Sequence, residues 1–121
     1  MRWVGVFFIL CAMIVTPYAN AQALNDCQQI NKASGGPDNN FRPPAIAKVV
    51  GKGRAYFYSA PAARCLMKHI FVIPGDRVTV YKPYLDWYQV MFINTRTGDE
   101  TEGWIKENRL ELAGQYGRDS S

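Results

Sequence analysis

Apolar and polar positions divide the chain into four stretches. Trp3 to Val15 is an almost unbroken apolar run behind the positive Met1-Arg2 end. Gln22 to Pro44 is polar, with Gly35-Gly36-Pro37-Asp38-Asn39-Asn40 in its middle and Pro43-Pro44 at its end. That composition predicts a helical turn near Asp26–Lys32 and then a loop, together a leader over 22–44. Ala45 to Leu112 is β-branched and aromatic, with Gly and Pro at short intervals, which predicts an all-β domain over 45–112. Its about five or six strands are Ala45–Val50, Arg54–Ser59, Arg77–Lys82, Trp87–Asn94, Glu100–Ile105 and a short Arg109–Leu112. Residues 113–121 hold little to bury and are expected to fray.

Alternation within the strands separates two faces. Tyr88, Val90 and Phe92 share the core side, and Trp87, Gln89 and Met91 share the other. Pro74-Gly75, Leu85-Asp86 and Thr97-Gly98 are tight turns, so the strands they join run antiparallel. The stretch Ser59–Ile73, with Pro61, Cys65 and His69, is read as a long loop able to carry a binding surface.

The start of the chain changes the picture of its compartment. A positive end, an apolar run and the small-x-small Ala19-Asn20-Ala21 describe a secretory signal peptide over 1–21, cut near Ala21. The run of about thirteen residues is well short of the roughly twenty that span a bilayer. Cys11 follows Leu10, where lipid attachment needs a small side chain, so the mature form is expected without a membrane anchor, in the periplasm. Two of the three cysteines then remain, Cys27 and Cys65, and an oxidising compartment makes a disulfide their default state.

A domain of this size buries only about 60% of its unfolded surface. Some rings among Tyr56, Tyr58, Tyr81, Tyr84, Trp87 and Trp104 are therefore expected to stay half exposed, where amphipathic rings serve either packing or recognition. Tyr84 and Trp87 flank a turn and lean towards recognition.

The segments "RAYFYSAP", "VIPGDRVTVY", "DWYQVMF" and "EGWIKENRLE" together resemble a bacterial SH3 (SH3b) domain. Gly75, Asp76, Val78, Val80, Trp87, Val90, Gly103, Trp104, Ile105 and Leu110 occupy the family's pattern positions over about Lys52 to Glu111. The resemblance implies a small, partly open antiparallel barrel that binds and does not catalyse. Tyr56-Phe57-Tyr58 stands where the family has an Asn-x-Arg run, and the Cys65 segment is an insertion.

Catalytic chemistry finds little support. Asp99, Glu100, Glu102, Glu107 and Glu111 cluster as a solvated acidic face, and one histidine, His69, cannot complete a metal set or activate Cys65 within a triad. Gly51-Lys52-Gly53-Arg54 lacks the spacing and the helix of a phosphate loop. No cofactor is expected. Charge is uneven, with nine basic and three acidic residues in 22–82 against four and seven in 83–121. Export argues against a nucleic-acid partner for the basic half and leaves docking onto a charged protein or anionic cell wall.

Two expectations follow. In one, the domain recognises a protein, resembling the immunity or inhibitor proteins that guard the periplasm against cell-wall-directed toxins. In the other, it binds peptidoglycan. Candidate contacts are Tyr58, Arg64, Lys68, Tyr84, Trp87, Asp99 and Glu100, the last two on the Thr97–Glu102 hairpin.

Overall fold

The structure, a computed structural model, describes Gly5 and residues 19–116. The apolar run of the expected signal peptide lies outside the described residues. Helix α1, Ala19–Ser34, passes through the expected cleavage point and extends the turn expected at Asp26–Lys32 in both directions. Seven strands follow: β1 Ala45–Val49, β2 Ala55–Tyr58, β3 Leu66–Val72, β4 Arg77–Tyr84, β5 Trp87–Ile93, β6 Glu100–Lys106 and β7 Leu110–Gln115. All register pairs are antiparallel, in the order β3-β2-β6-β5-β4-β1-β7.

The expected alternation supplies the core. Val78 and Val80 of β4, Val90 of β5 and Ile105 of β6 pack with Ala47 and Val49 of β1, Phe57 of β2 and Val72 of β3 in one cluster, with Tyr88 and Phe92 against it. Strands from both ends of the sheet meet in that cluster, so the sheet curls around it. Arg109, the last residue of the 3₁₀ turn Glu107–Arg109 before β7, holds the curl: its guanidinium donates to the carbonyls of Val50, Gly53 and Arg54 at 2.9, 2.7 and 3.0 Å. The β1–β2 loop is thus filled by an arginine. Gly51 must be glycine here, since its φ is 91° and a Cβ would come within 2.7 Å of the Arg109 Nε.

Two expectations are corrected. Ser59–Ile73 is not a long loop, because a 3₁₀ turn at Ala63–Cys65 leads straight into β3, which pairs with β2 through a register shift between Tyr56 and Tyr58. As an edge strand, β3 leaves most of its side chains in water, so no buried-exposed alternation marks it. Residues 113–115 do not fray; they continue β7 against β1, where backbone pairing with Ala45 and Ile46 holds residues that bury little.

The second face of the sheet is covered by α1. A bulge at Tyr81, between the pairs Val80–Val90 and Lys82–Gln89, turns both Tyr81 and Lys82 towards that face. The Lys82 ammonium donates to the Gly36 carbonyl at 2.8 Å, placing a cation at the carbonyl end of the helix. The Trp104 indole N–H donates to the Asn31 Oδ1 at 2.8 Å. Cys27 of α1 is bonded to Cys65, and with Ala60 they form a small buried cluster beside Ile30 and Ala62. The Arg64 guanidinium reaches the Asp26 carboxylate at 2.6 Å, a pair exposed enough to add little stability.

Replacing Cys27 and Cys65 together by Ala frees a loop of 38 residues in sequence separation and is expected to lower the unfolding free energy by about 4 kcal/mol. Urea unfolding followed by circular dichroism measures it. Asn31→Ala leaves the buried Trp104 N–H without its acceptor and is expected to cost about 1–3 kcal/mol on the same assay.

Candidate functional site

The β4–β5 turn gathers the aromatic contacts expected from the sequence. Tyr84 and Trp87 are register partners on either side of Leu85-Asp86. The Trp87 ring meets the Tyr58 ring edge-on at 4.7 Å, and Tyr84 meets Trp104 edge-on at 6.1 Å. Opposite Trp87 in the next ladder stands Lys106, whose ammonium lies 4.4 Å over the Trp87 ring. Tyr58, Tyr84 and Trp87 are thus brought into one cluster.

Burial sorts these rings differently from the sequence reading. Trp87 is only 4% exposed and Trp104 is fully buried, because Tyr58, Lys106 and α1 enclose that face. The expectation that Trp87 stays half exposed as a contact ring is therefore corrected: its face is already occupied by its own chain. Tyr84, at 37%, keeps an open side. Leu85 at the tip is 79% exposed.

Leu85 adopts φ 52°, the left-handed region. Two-residue hairpins need positive φ at the first or both central positions, which is why Gly, Asn and Asp dominate there. A leucine in that conformation costs about 1–2 kcal/mol. The turn is braced in place by Asp86, whose backbone carbonyl accepts from the Glu107 N–H at 2.9 Å and whose Oδ2 accepts from the Lys106 ammonium at 3.0 Å. The Lys106 hydrogen bond, then the residue's own backbone N–H, hold the Asp86 carboxyl below its ordinary range, with desolvation opposing them and the Lys106 charge adding to them. This ion pair is exposed, so it orients the tip more than it stabilises the fold.

The remaining candidates lie elsewhere. Arg64 is taken up by Asp26 of α1. Lys68 is exposed on β3. Asp99 and Glu100 sit at the β5–β6 hairpin, at the other end of β5 from the turn. Leu85 and Lys106 were not candidates from sequence. The signal for Leu85 was available: an aliphatic residue in a two-residue turn, where small or amide side chains are usual. Towards the helix end, Gln89 and Glu102 are shared by two small clefts of about 190 and 260 Å³, which also take in Tyr81, Asn40, Asn31 and Ser59. Burial, then the charges of Glu102 and Glu100, push the Tyr81 phenol above its ordinary value.

Among the described residues, no group of three or more His, Cys, Asp or Glu side chains could hold a metal ion, and no helix is long and apolar enough to cross a membrane. Comparison with family models, curated proteins and solved structures finds no match to this chain.

The lowered Asp86 pKa fixes the sign of one pH effect. A depressed folded-state value means that the brace contributes above the unfolded carboxylate value, near 3.8, and is lost as pH falls through the lower folded value. A carboxyl titration by NMR is expected to place Asp86 below ordinary aspartates, and Lys106→Gln to bring it back up.

Proposed function

We propose that this chain is a non-catalytic, exported SH3-like binding protein that recognises another protein through its β4–β5 turn, in the manner of an immunity or inhibitor protein that occludes a partner's active site. The observation that carries this reading is Leu85, a large apolar side chain exposed at 79% on a backbone that favours glycine. It buries almost nothing and its conformation is unfavourable, so the fold draws no benefit from it. Sites of this kind cluster where function demands them.

The shape of the tip indicates the class of partner. It is convex, apolar at Leu85 and Tyr84, and stiffened by the Asp86 contacts to Lys106 and Glu107. Such a knob fits a concave apolar pocket on a protein, and its pre-set conformation spares the ordering cost that a flexible loop would carry on binding. Peptidoglycan recognition would draw on flat, accessible rings with polar neighbours, and Trp87 and Trp104 are enclosed. The SH3-like reading is supported by the β4–β6 meander closed by β7 returning to β1, and by the pattern residues Val78, Val80, Val90, Ile105 and Leu110 packing one core. Periplasmic location is supported by the Cys27–Cys65 disulfide, which persists in oxidising compartments.

Leu85→Gly tests the reading because it separates folding from recognition. Glycine relieves the left-handed strain, so the unfolding midpoint is expected to hold or rise. Capture of a specific protein from periplasmic extract is expected to fall about tenfold or more, the effect of losing a contact worth about 1.4 kcal/mol. Co-sedimentation with purified peptidoglycan runs alongside. Sedimentation with the wall and no protein partner, or equal capture by both forms, overturns the proposal.

A further inference from the structure

The end of the sheet away from the turn holds a cleft of about 330 Å³ between β3 and the β5–β6 hairpin. Phe57, Ile70, Phe71 and Phe92 make its apolar lining, with Phe57 fully buried behind it and the Phe71 ring covered by the Arg54 guanidinium at 4.2 Å, and His69, Asp99 and Thr101 are among its polar residues. Its volume is near the lower end of the roughly 300–1,000 Å³ of ligand sites, which suits a few residues of chain rather than a large ligand.

One wall of this cleft is a strand edge. Along β6, residues Glu100 to Lys106 pair with β5, whereas β2 meets β6 at the single register pair Tyr58–Trp104. At Gly103 the β2 backbone is so close that a Cβ would lie 2.9 Å from the Tyr58 carbonyl oxygen. Ahead of that contact, Glu100–Glu102 have no ladder partner on the side away from β5 among the described residues. Backbone N–H and C=O groups along such an edge are a template for an incoming strand.

The side chains of this half-strand specify what that strand must be. Thr101, opposite Phe92, lies on the cleft side, while Glu100 and Glu102, opposite Ile93 and Met91, project exposed carboxylates from the other face. Directly opposed residues on neighbouring strands share a face, and opposite charges there attract. A segment laid along β6 therefore meets carboxylates at every second position and a phenylalanine-lined cleft at the positions between. The wall across the cleft belongs to β3, from which His69 and Ile70 line it.

We propose that this cleft binds an extended segment of another protein in which basic and apolar residues alternate, added as a strand along Glu100–Glu102 with its apolar side chains in the phenylalanine-lined cleft. The phase is fixed by the pairing. A segment shifted by one residue would place apolar groups on the carboxylates of Glu100 and Glu102 and leave them without opposite charge. This surface is separate from the Leu85 tip, so the two readings stand or fall independently.

The test uses the mature protein and a fluorescein-labelled, capped pentapeptide Lys-Val-Lys-Val-Lys, followed by anisotropy. Binding tighter than about 1 mM is expected. The Glu100→Lys, Glu102→Lys double variant, altered only at exposed positions, is expected to lose about tenfold of that affinity and to gain affinity for Glu-Val-Glu-Val-Glu. A peptide N-methylated at all five residues, which has no backbone N–H to donate to the Glu100 and Glu102 carbonyls in either strand direction, is expected not to bind the native protein. Leu85→Gly is expected to bind the peptide as the native protein does. No binding at millimolar peptide, equal binding by the charge-reversed protein, or equal binding of the N-methylated peptide overturns the inference.

Discussion

The covalent link between Cys27 and Cys65 decides which face of the sheet meets water. It fixes a polar helix beside the 3₁₀ turn that precedes β3, and from there the helix runs across the strand faces that carry Trp104, Gln89 and Lys82. Among the described residues, little of that docking is apolar beyond the small cluster around the two sulfurs. A helix of this composition has no stripe wide enough to hold itself on a sheet, and hydrogen bonds of about 0.5–1.5 kcal/mol net each would not order it unaided. The cross-link confines it near its place, and the Asn31 and Lys82 contacts then select the orientation.

On the proposed reading, what the chain offers a partner follows from that covering. With the tryptophans enclosed, the proposed recognition surfaces lie at the two ends of the sheet and not at its middle. One end is a stiff convex tip, and the other is an open edge over phenylalanines. They are of opposite shape, and they lie at opposite ends of β5.

How much of this could be read from residues alone depended on whether a side chain's environment is local. Val78, Val80, Tyr88, Val90 and Phe92 announced their strands and their common face, because burial on one side imposes a period of two. β3 gave no such signal, since an edge strand arching over a cleft exposes most of its residues whichever way they point. Trp87 was placed on the correct face but with the wrong exposure: its cover consists of Tyr58, Lys106 and a helix joined by a bond to a cysteine 38 residues later in the chain. Leu85 was legible only indirectly, since its turn could be read from the residues but the left-handed backbone shows itself only through what such a turn requires. The Tyr81 bulge was invisible for a related reason, as an extra residue in one strand shows itself only against its neighbour.

The pairing of β1 with β7 has a further consequence for how the chain assembles. β1 carries Ala45, Ala47 and Val49 into the core, and one of its two neighbours is the last strand of the described chain. During synthesis or export from the N-terminus, that flank stays open until residues near 115 emerge, and the Arg109 clasp on the β1–β2 loop waits equally long. Closure therefore depends on contacts between residues far apart in the chain, the kind that slow folding. A nascent chain paused before Leu110 would present an apolar strand with one side bare, and its first need would be protection from other chains.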